Sequence, residues 1–266
     1  MLKEFSLEGK IAIVTGAGRG IGKGIALALA EAGADILAAA RTEHEINEVA
    51  KETKQLGRRC LPIPTDITKE EQVQRMVERA ISEFGKIDIL VNNAGAITAV
   101  MPLVPLPHLG DSFPNVMPEE EWRSDFDVDL IGTFLCTRAV GPYLIKQRSG
   151  KVINITSSLV ISGFDYNAPY CASKAAKARF TQTLAKEWAR YNINVNAIGP
   201  GLIHTPMTDE YIFSKEKIRE RHLSRIPLRR AGMPRDIGLL AVYLASDASN
   251  WMTGQSLYID GGQTIS

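Results

Sequence analysis

The chain has 266 residues, of which 45% are hydrophobic and 23% charged. That balance belongs to a globular protein and excludes collagen-like, disordered and disulfide-scaffold chains. Lys and Arg total 31 against 30 Asp and Glu, a formal net charge of +1, so no electrostatic argument favours nucleic acid or an anionic membrane as partner. The three cysteines, Cys60, Cys136 and Cys171, lie far apart without a CxxC pair, and reduced thiols packed as small hydrophobes are expected. The first residues lack the pattern of a secretory leader, and no window offers the ~18 continuous apolar residues of a membrane span. The expectation is a cytoplasmic protein.

Strands and helices are predicted in alternation. Ile11–Thr15 is a short apolar strand ending in a glycine cluster. Ile21–Ala32 follows as a helix, with Ile21, Ile25, Ala28, Leu29 and Ala32 on one face. After Gly33 come a strand over Ile36–Ala40 and a helix over Glu43–Leu56. Leu61–Pro64 reads as a third strand, weakened by Pro62 and Pro64. Glu70–Phe84 is helical and stopped by Gly85, and Ile87–Val91 is a strand. Glu119–Lys146 is helical, with Gly132 and Gly141 as weak points. Val152–Ile155 is a strand, Pro169–Arg190 a long helix and Asn194–Ile198 a strand. A helix over Asp236–Ser246 and a strand over Ser256–Ile259 close the chain. Strands separated by helices imply parallel pairing through right-handed crossovers, hence one doubly wound α/β domain with ligands at the carboxyl ends of its strands. Two segments fit poorly. Residues 96–118 hold Pro102, Pro105, Pro107, Pro114 and Pro118, and 205–230 mix apolar and charged residues. Both are expected to be lids, binding loops or disordered.

The run Thr15-Gly16-Ala17-Gly18-Arg19-Gly20-Ile21-Gly22 joins the first strand to the first helix. Glycines let the backbone approach a pyrophosphate, and a helix N-terminus presents free N–H groups and a positive dipole end. A plain strand-to-helix turn would carry the same glycines. There is no GxxxxGK[ST], which argues against a P-loop triphosphatase. An NAD site usually places Asp or Glu at the end of the second strand, to bond the ribose 2′-hydroxyl. Here that strand ends Ala40-Arg41-Thr42, without a carboxylate. Arg41, aided by Arg19, suits a 2′-phosphate. This favours NADP(H), with NAD(H) as the other possibility; surface arginines are the plain alternative.

Further motifs follow in order: Asn92-Asn93-Ala94-Gly95; Ser157, followed 13 positions later by Tyr170-x-x-x-Lys174; Pro200-Gly201; and Asp260-Gly261-Gly262. With the glycine loop they make the chain resemble the classical short-chain dehydrogenase/reductase family, 3-oxoacyl-reductase-like, over nearly its whole length. The resemblance implies a Rossmann-type domain with a seven-stranded parallel sheet. It places Gly16, Gly18, Arg19, Gly20, Ile21 and Gly22 along the phosphates, and Arg41 and Thr42 at the adenosine ribose. It puts Asp66 and Ile67 near the adenine, and Asn93, Ala94 and Gly95 along the cleft. Pro200, Gly201, Ile203 and Thr205 fall at the nicotinamide, with Tyr170 and Lys174 also touching the cofactor. It further implies a homotetramer built through the helices predicted at Glu119–Lys146 and Pro169–Arg190.

Tyr170 and Lys174 lie four residues apart and so share a helix face. A tyrosine near pKa 10 needs a nearby cation to exchange its proton at neutral pH, and Lys174 supplies one. Ser157 is placed to hydrogen-bond the substrate oxygen. The expected reaction is reversible hydride transfer at a carbonyl or secondary alcohol, with Tyr170 as general acid in reduction and general base in oxidation. One departure stands out. The family usually carries asparagine in its fourth helix where this chain has Asp129, which puts the proton relay in question. His44, His108, His204 and His222 show no metal-ligand spacing, so no metal is expected. His204, next to the presumed nicotinamide loop, is either a substrate contact or structural.

Leu159, Val160, Phe164, Tyr166, Met207, Tyr211, Ile212 and Phe213 suit a small, largely apolar substrate, or equally a packed lid. An acyl thioester, a steroid, a cyclic ketone and a sugar-derived ketone all remain open. No basic patch supports a carrier-protein-bound substrate. Rival expectations are an NAD-dependent alcohol dehydrogenase, a cofactor-binding regulatory or scaffold protein with little turnover, and an epimerase or dehydratase on the same fold.

Overall fold

In a computed structural model describing residues 2–96, 100–107 and 115–265, the apolar runs become seven parallel strands. They are β1 (Ile11–Thr15), β2 (Asp35–Ala40), β3 (Cys60–Pro64), β4 (Ile89–Asn92), β5 (Gly150–Ile155), β6 (Ile193–Pro200) and β7 (Ser256–Ile259), in spatial order β3-β2-β1-β4-β5-β6-β7. All five residues of β1 and all four of β4 are buried, as expected for parallel strands covered on both faces. The order reverses between β1 and β4, which opens a crevice above their carboxyl ends.

The helices are α1 (Gly20–Glu31), α2 (Glu43–Gln55), α3 (Glu70–Phe84), α4 (Glu119–Phe126), α5 (Gly132–Gln147), α6 (Leu159–Ser162), α7 (Ala168–Trp188), α8 (Pro206–Thr208), α9 (Glu216–Ser224) and α10 (Pro234–Ala245). Ile25 and Leu29 of α1, Ile46 and Val49 of α2, and Ile237 and Ala241 of α10 pack with Ala12 and Val14 on one face of the sheet. On the other face Val73, Met76, Val77 and Ala80 of α3 join Leu135 and Val140 of α5, Leu184 of α7, and Ile13 of β1. Successive residues of β1 thus point to opposite cores, the period-two alternation of a strand. The α3 quartet follows the i, i+3, i+4, i+7 pattern, which is why the helix was legible to the residue.

The structure refines several expectations. The prolines of β3 are accommodated because it is an edge strand, paired with β2 alone. The helix predicted over Glu119–Lys146 runs to Gln147 but is interrupted by a π-helical turn at Asp127–Ile131. Its apolar stretch is long enough to cross a membrane by length and composition, yet 56% of that stretch is buried in the protein, where α5 packs on the sheet. Residues 205–230, expected as a loop, contain α8, a π turn at Asp209–Phe213 and α9. None of the α9 side chains is buried, so the segment carries no apolar period to read. Within 96–118, the Met101 N–H donates to the Tyr166 carbonyl (2.7 Å), which ties the segment to the stretch between Ser157 and Tyr170. His108 and Pro114 lie outside the described residues.

Candidate active site

The glycine run forms a tight loop on top of β1. Gly16 and Gly20 adopt φ of +64° and +54°, the left-handed region open to glycine. A Cβ on Gly22 would stand 2.0 Å from the Gly16 carbonyl oxygen, so only glycine lets the first turn of α1 fold back onto the loop. Asn93, predicted to line the cleft, spends its side-chain amide on this loop, donating to the carbonyls of Thr15 (2.9 Å) and Gly16 (3.1 Å). The Thr15 hydroxyl in turn accepts from the Asn93 and Ala94 N–H groups (both 3.1 Å). Loop and cleft strand are therefore one hydrogen-bonded unit. The free N–H groups at the start of α1 sit beside a backbone stripped of side chains, a cradle that suits a dinucleotide pyrophosphate.

Around it, Arg41 and Thr42 are exposed at the end of β2, and among the described residues no ion pair holds Arg41. Arg19 is exposed but lies 3.8 Å from Glu45 of α2. Asp66, after β3, accepts from the Thr68 N–H (3.0 Å) and hydroxyl (2.8 Å) through one oxygen. Ile67 is buried, close enough to Gly132 to exclude a Cβ there. Pro200 ends β6, and Gly201 lies against Asp260. Ile203 is buried and bridges to Gly232. Thr205 caps α8 by accepting from the Thr208 N–H. His204 is bonded to Asp209 and packs edge-on against Phe213, with ring centroids 4.7 Å apart, a structural use of that ring.

Ser157, Tyr170 and Lys174 come together above β5 and along α7. The Ser157 hydroxyl bonds Tyr170, and the Lys174 ammonium lies 5.4 Å from the centre of the Tyr170 ring. Burial pushes the Tyr170 pKa up; Lys174 and the Ser157 bond pull against it, and it stays above the ordinary tyrosine value. For Lys174, burial works against the charge, but Asp129 and then Tyr170 outweigh it, and its pKa stands above the usual lysine value.

The π turn carries Asp129 into this cluster. A π turn inserts one residue into a helix, and such turns concentrate at functional sites. Fully buried, Asp129 accepts from Lys174 Nζ at 2.7 Å through Oδ1 and from the Ser173 hydroxyl at 3.2 Å through Oδ2. Its main-chain carbonyl accepts from Thr133 Oγ1 at 2.7 Å. Gly95 closes the pair from above: a Cβ there would meet Asp129 Oδ1 at 2.7 Å and Lys174 Nζ at 2.9 Å. Sequence reasoning missed two charged neighbours, Glu45 beside the glycine loop and Lys177 behind Asp129. Lys177 lies three residues past Lys174 and four before Thr181 on a helix whose inner face was already defined, a spacing that would have placed its amine in the core.

Fold and crevice together define a doubly wound α/β protein of the dinucleotide-binding type. The family model described as enoyl-(acyl carrier protein) reductase matches residues 16–264. The chain is 41% identical over 259 residues to the 3-oxoacyl-[acyl-carrier-protein] reductase FabG of Thermotoga maritima, covering 97% of this chain and 99% of that protein. It is also 41% identical over 263 residues to the 2-dehydro-3-deoxy-D-gluconate 5-dehydrogenase of Pseudoalteromonas atlantica, covering 98% of each. Among solved structures it resembles a candidate NAD(P)-dependent gluconate 5-dehydrogenase of Beutenbergia cavernae with bound NADP, at a TM-score of 0.86 and 34% identity, covering 99% of this chain and 100% of that one. The chain belongs to the short-chain dehydrogenase/reductase family and is an oxidoreductase of the CH–OH/C=O couple.

Proposed function

We propose that the protein is an NADP(H)-dependent carbonyl reductase or secondary-alcohol dehydrogenase working through Ser157, Tyr170 and Lys174 on a small, largely apolar substrate. The observation that carries this is the joining of Tyr170 to the Ser157 hydroxyl with the Lys174 ammonium beside its ring. The glycine loop, Arg19, Arg41 and Asp66 would hold the dinucleotide, with Ile203 and Thr205 at its nicotinamide end. When bound, that nicotinamide supplies or takes up the hydride of the redox step.

The chain's own residues do the rest. Ser157 donates a hydrogen bond to the substrate oxygen, where negative charge grows during reduction. Tyr170, protonated at neutral pH like any tyrosine, gives that oxygen its proton. Lys174 stabilises the phenolate left behind. Leu159, Val160, Phe164 and Met207 lie on the segments flanking this centre, and Phe164 stacks on His222 of α9 with ring centroids 6.3 Å apart. That apolar rim supports the substrate class.

The relatives' names supply the two candidate chemistries, a 3-oxoacyl thioester and a sugar-acid ketone. The bound NADP of the Beutenbergia protein supports the cofactor. We read the assembly as a cytoplasmic homotetramer, on the strength of Ile131 and Phe134, large apolar side chains exposed where α5 begins. The experiment is a parallel titration with NADPH and NADH, followed by a carbonyl and alcohol panel on the preferred cofactor. NADPH preference with turnover is expected; binding without turnover on any member of the panel overturns the reading.

A further inference from the structure

Lys177 has no exposed surface, and among the described residues its ammonium makes no hydrogen bond shorter than its 3.6 Å contact with Asp129 Oδ1. That oxygen is the one that Lys174 approaches at 2.7 Å. Taking an ammonium out of water is costly unless a counter-charge receives it, and a core position on α7 would ordinarily hold an apolar residue. The groups facing it are Lys174 from α7, Asp129 from the π turn and Cys136 from α5; Tyr170 from α7 and Asp125 from α4 act on Lys174. Neutral side chains join the strands to α5 and α7: Asn92 donates to Asn154 (2.9 Å) and Thr137 (3.1 Å), and Asn154 donates to Thr181 (2.9 Å).

Asp129 creates an electrostatic problem at the catalytic tyrosine. A carboxylate in contact with Lys174 offsets the cation that stabilises the Tyr170 phenolate, and its field holds the Tyr170 proton more tightly. A second ammonium behind the carboxylate returns one net positive charge to the Lys174–Asp129–Lys177 trio. We infer that Lys177 is a positioning residue for proton transfer: as the counter-charge of Asp129, it leaves Lys174 free to act as a cation toward Tyr170. The inference rests on the reading of Tyr170 as the acid/base group.

Burial, reinforced by repulsion from Lys174, lowers the Lys177 pKa, and Asp129 pulls against that loss of charge.

The test follows the Tyr170 phenolate by ultraviolet difference titration against Tyr170→Phe, in free protein and with saturating NADP+, beside the pH profile of alcohol oxidation. Lys177→Met is expected to move both the phenolate titration and the acid limb of oxidation upward by about one pH unit, the size of one lost neighbouring charge. Asp129→Asn/Lys177→Met, which removes the carboxylate together with its counter-charge, should return both close to wild type. Should Lys177→Met fail to fold, the same step is read in the Asp129→Asn background. There the single variant shifts the titration down and adding Lys177→Met shifts it back up. A titration that does not respond to Lys177→Met in a folded protein overturns the inference. The titration needs no turnover, so shifted phenolates in a protein that reduces nothing would sink the proposed function alone, and turnover with unmoved phenolates would sink the lysine alone.

Discussion

Glu45 Oε1 lies 3.8 Å from Arg19 Nη1, so the arginine of the glycine loop, proposed to aid Arg41 at a 2′-phosphate, is already partnered by a carboxylate. The pair is mostly exposed on the arginine side and worth little on its own. Its interest is competitive, because a phosphate arriving at Arg19 must draw it away from Glu45.

On the proposed NADP(H) reading, Arg41 and Glu45 act on cofactor choice in opposite directions. Arg41→Asp removes a charge-assisted partner and adds repulsion, and should lower NADPH affinity roughly 10- to 100-fold while NADH is spared. Glu45→Gln should raise NADPH affinity a few-fold, about the value of an exposed ion pair. Titration of both cofactors against both variants checks this; an NADPH/NADH ratio that ignores Arg41→Asp would show the arginine to be a bystander.

Tyr170→Phe keeps the ring and its packing but removes the exchangeable proton. Turnover should fall by at least about 100-fold, the usual contribution of positioned general acid–base catalysis, with cofactor affinity within about a factor of two by the same reasoning. Residual activity near wild type would move the acid/base role elsewhere.

Gly22→Ala forces a methyl group toward the Gly16 carbonyl. Because that oxygen belongs to the backbone, the loop must shift, and overpacking of this kind costs about 1–3 kcal/mol. A lowered melting temperature together with weakened binding of either cofactor is expected, since the displaced loop is the proposed phosphate cradle. Loss of stability with unchanged binding would separate the two.

Lys151 offers a test of linkage away from the site. It is buried at the start of β5, donating to Asn194 Oδ1 (2.9 Å) and Asn250 Oδ1 (2.8 Å), and burial lowers its pKa to about 8. The unfolded chain would hold this proton up to about 10.4. Between about 8 and 10.4 the unfolded state therefore binds more protons than the folded state, so this group makes stability rise with pH across that window. Lys151→Met should flatten the rise in a denaturant series taken from pH 7 to 10. A wild-type slope in the variant would assign the dependence to other groups.

The sheet and most helices were legible because their residues obey simple periods. Every position of β1 is apolar or Thr, and α3 repeats its buried residues at helical spacing. α9 was not legible, having no buried face to impose a period. Ser157, Tyr170 and Lys174 were visible as a spaced motif, and the structure brings them together. Asp129 was visible only as a departure, and its meaning lay in contacts the linear sequence hides. The residue that compensates it sits on another helix, and the π turn that aims it inward has no distinctive composition. Asn93 shows the converse: it was read as lining the cleft, while in the structure its side-chain amide serves the loop.

The outermost strand, β3, has a consequence for how the molecule behaves when crowded. Its Thr65 neighbour directs its N–H to Ala40 of β2 (2.9 Å), and residues two apart point the same way along a strand. Positions 61 and 63 therefore donate inward, while 62 and 64 would donate outward, and both are proline. This edge of the sheet thus keeps the Cys60 N–H as its one outward donor within β3 and lacks the two beyond it that a foreign strand would need to zip along it, a built-in guard against templated aggregation. Pro62→Val with Pro64→Val would restore those donors and make the protein more prone to edge-to-edge association.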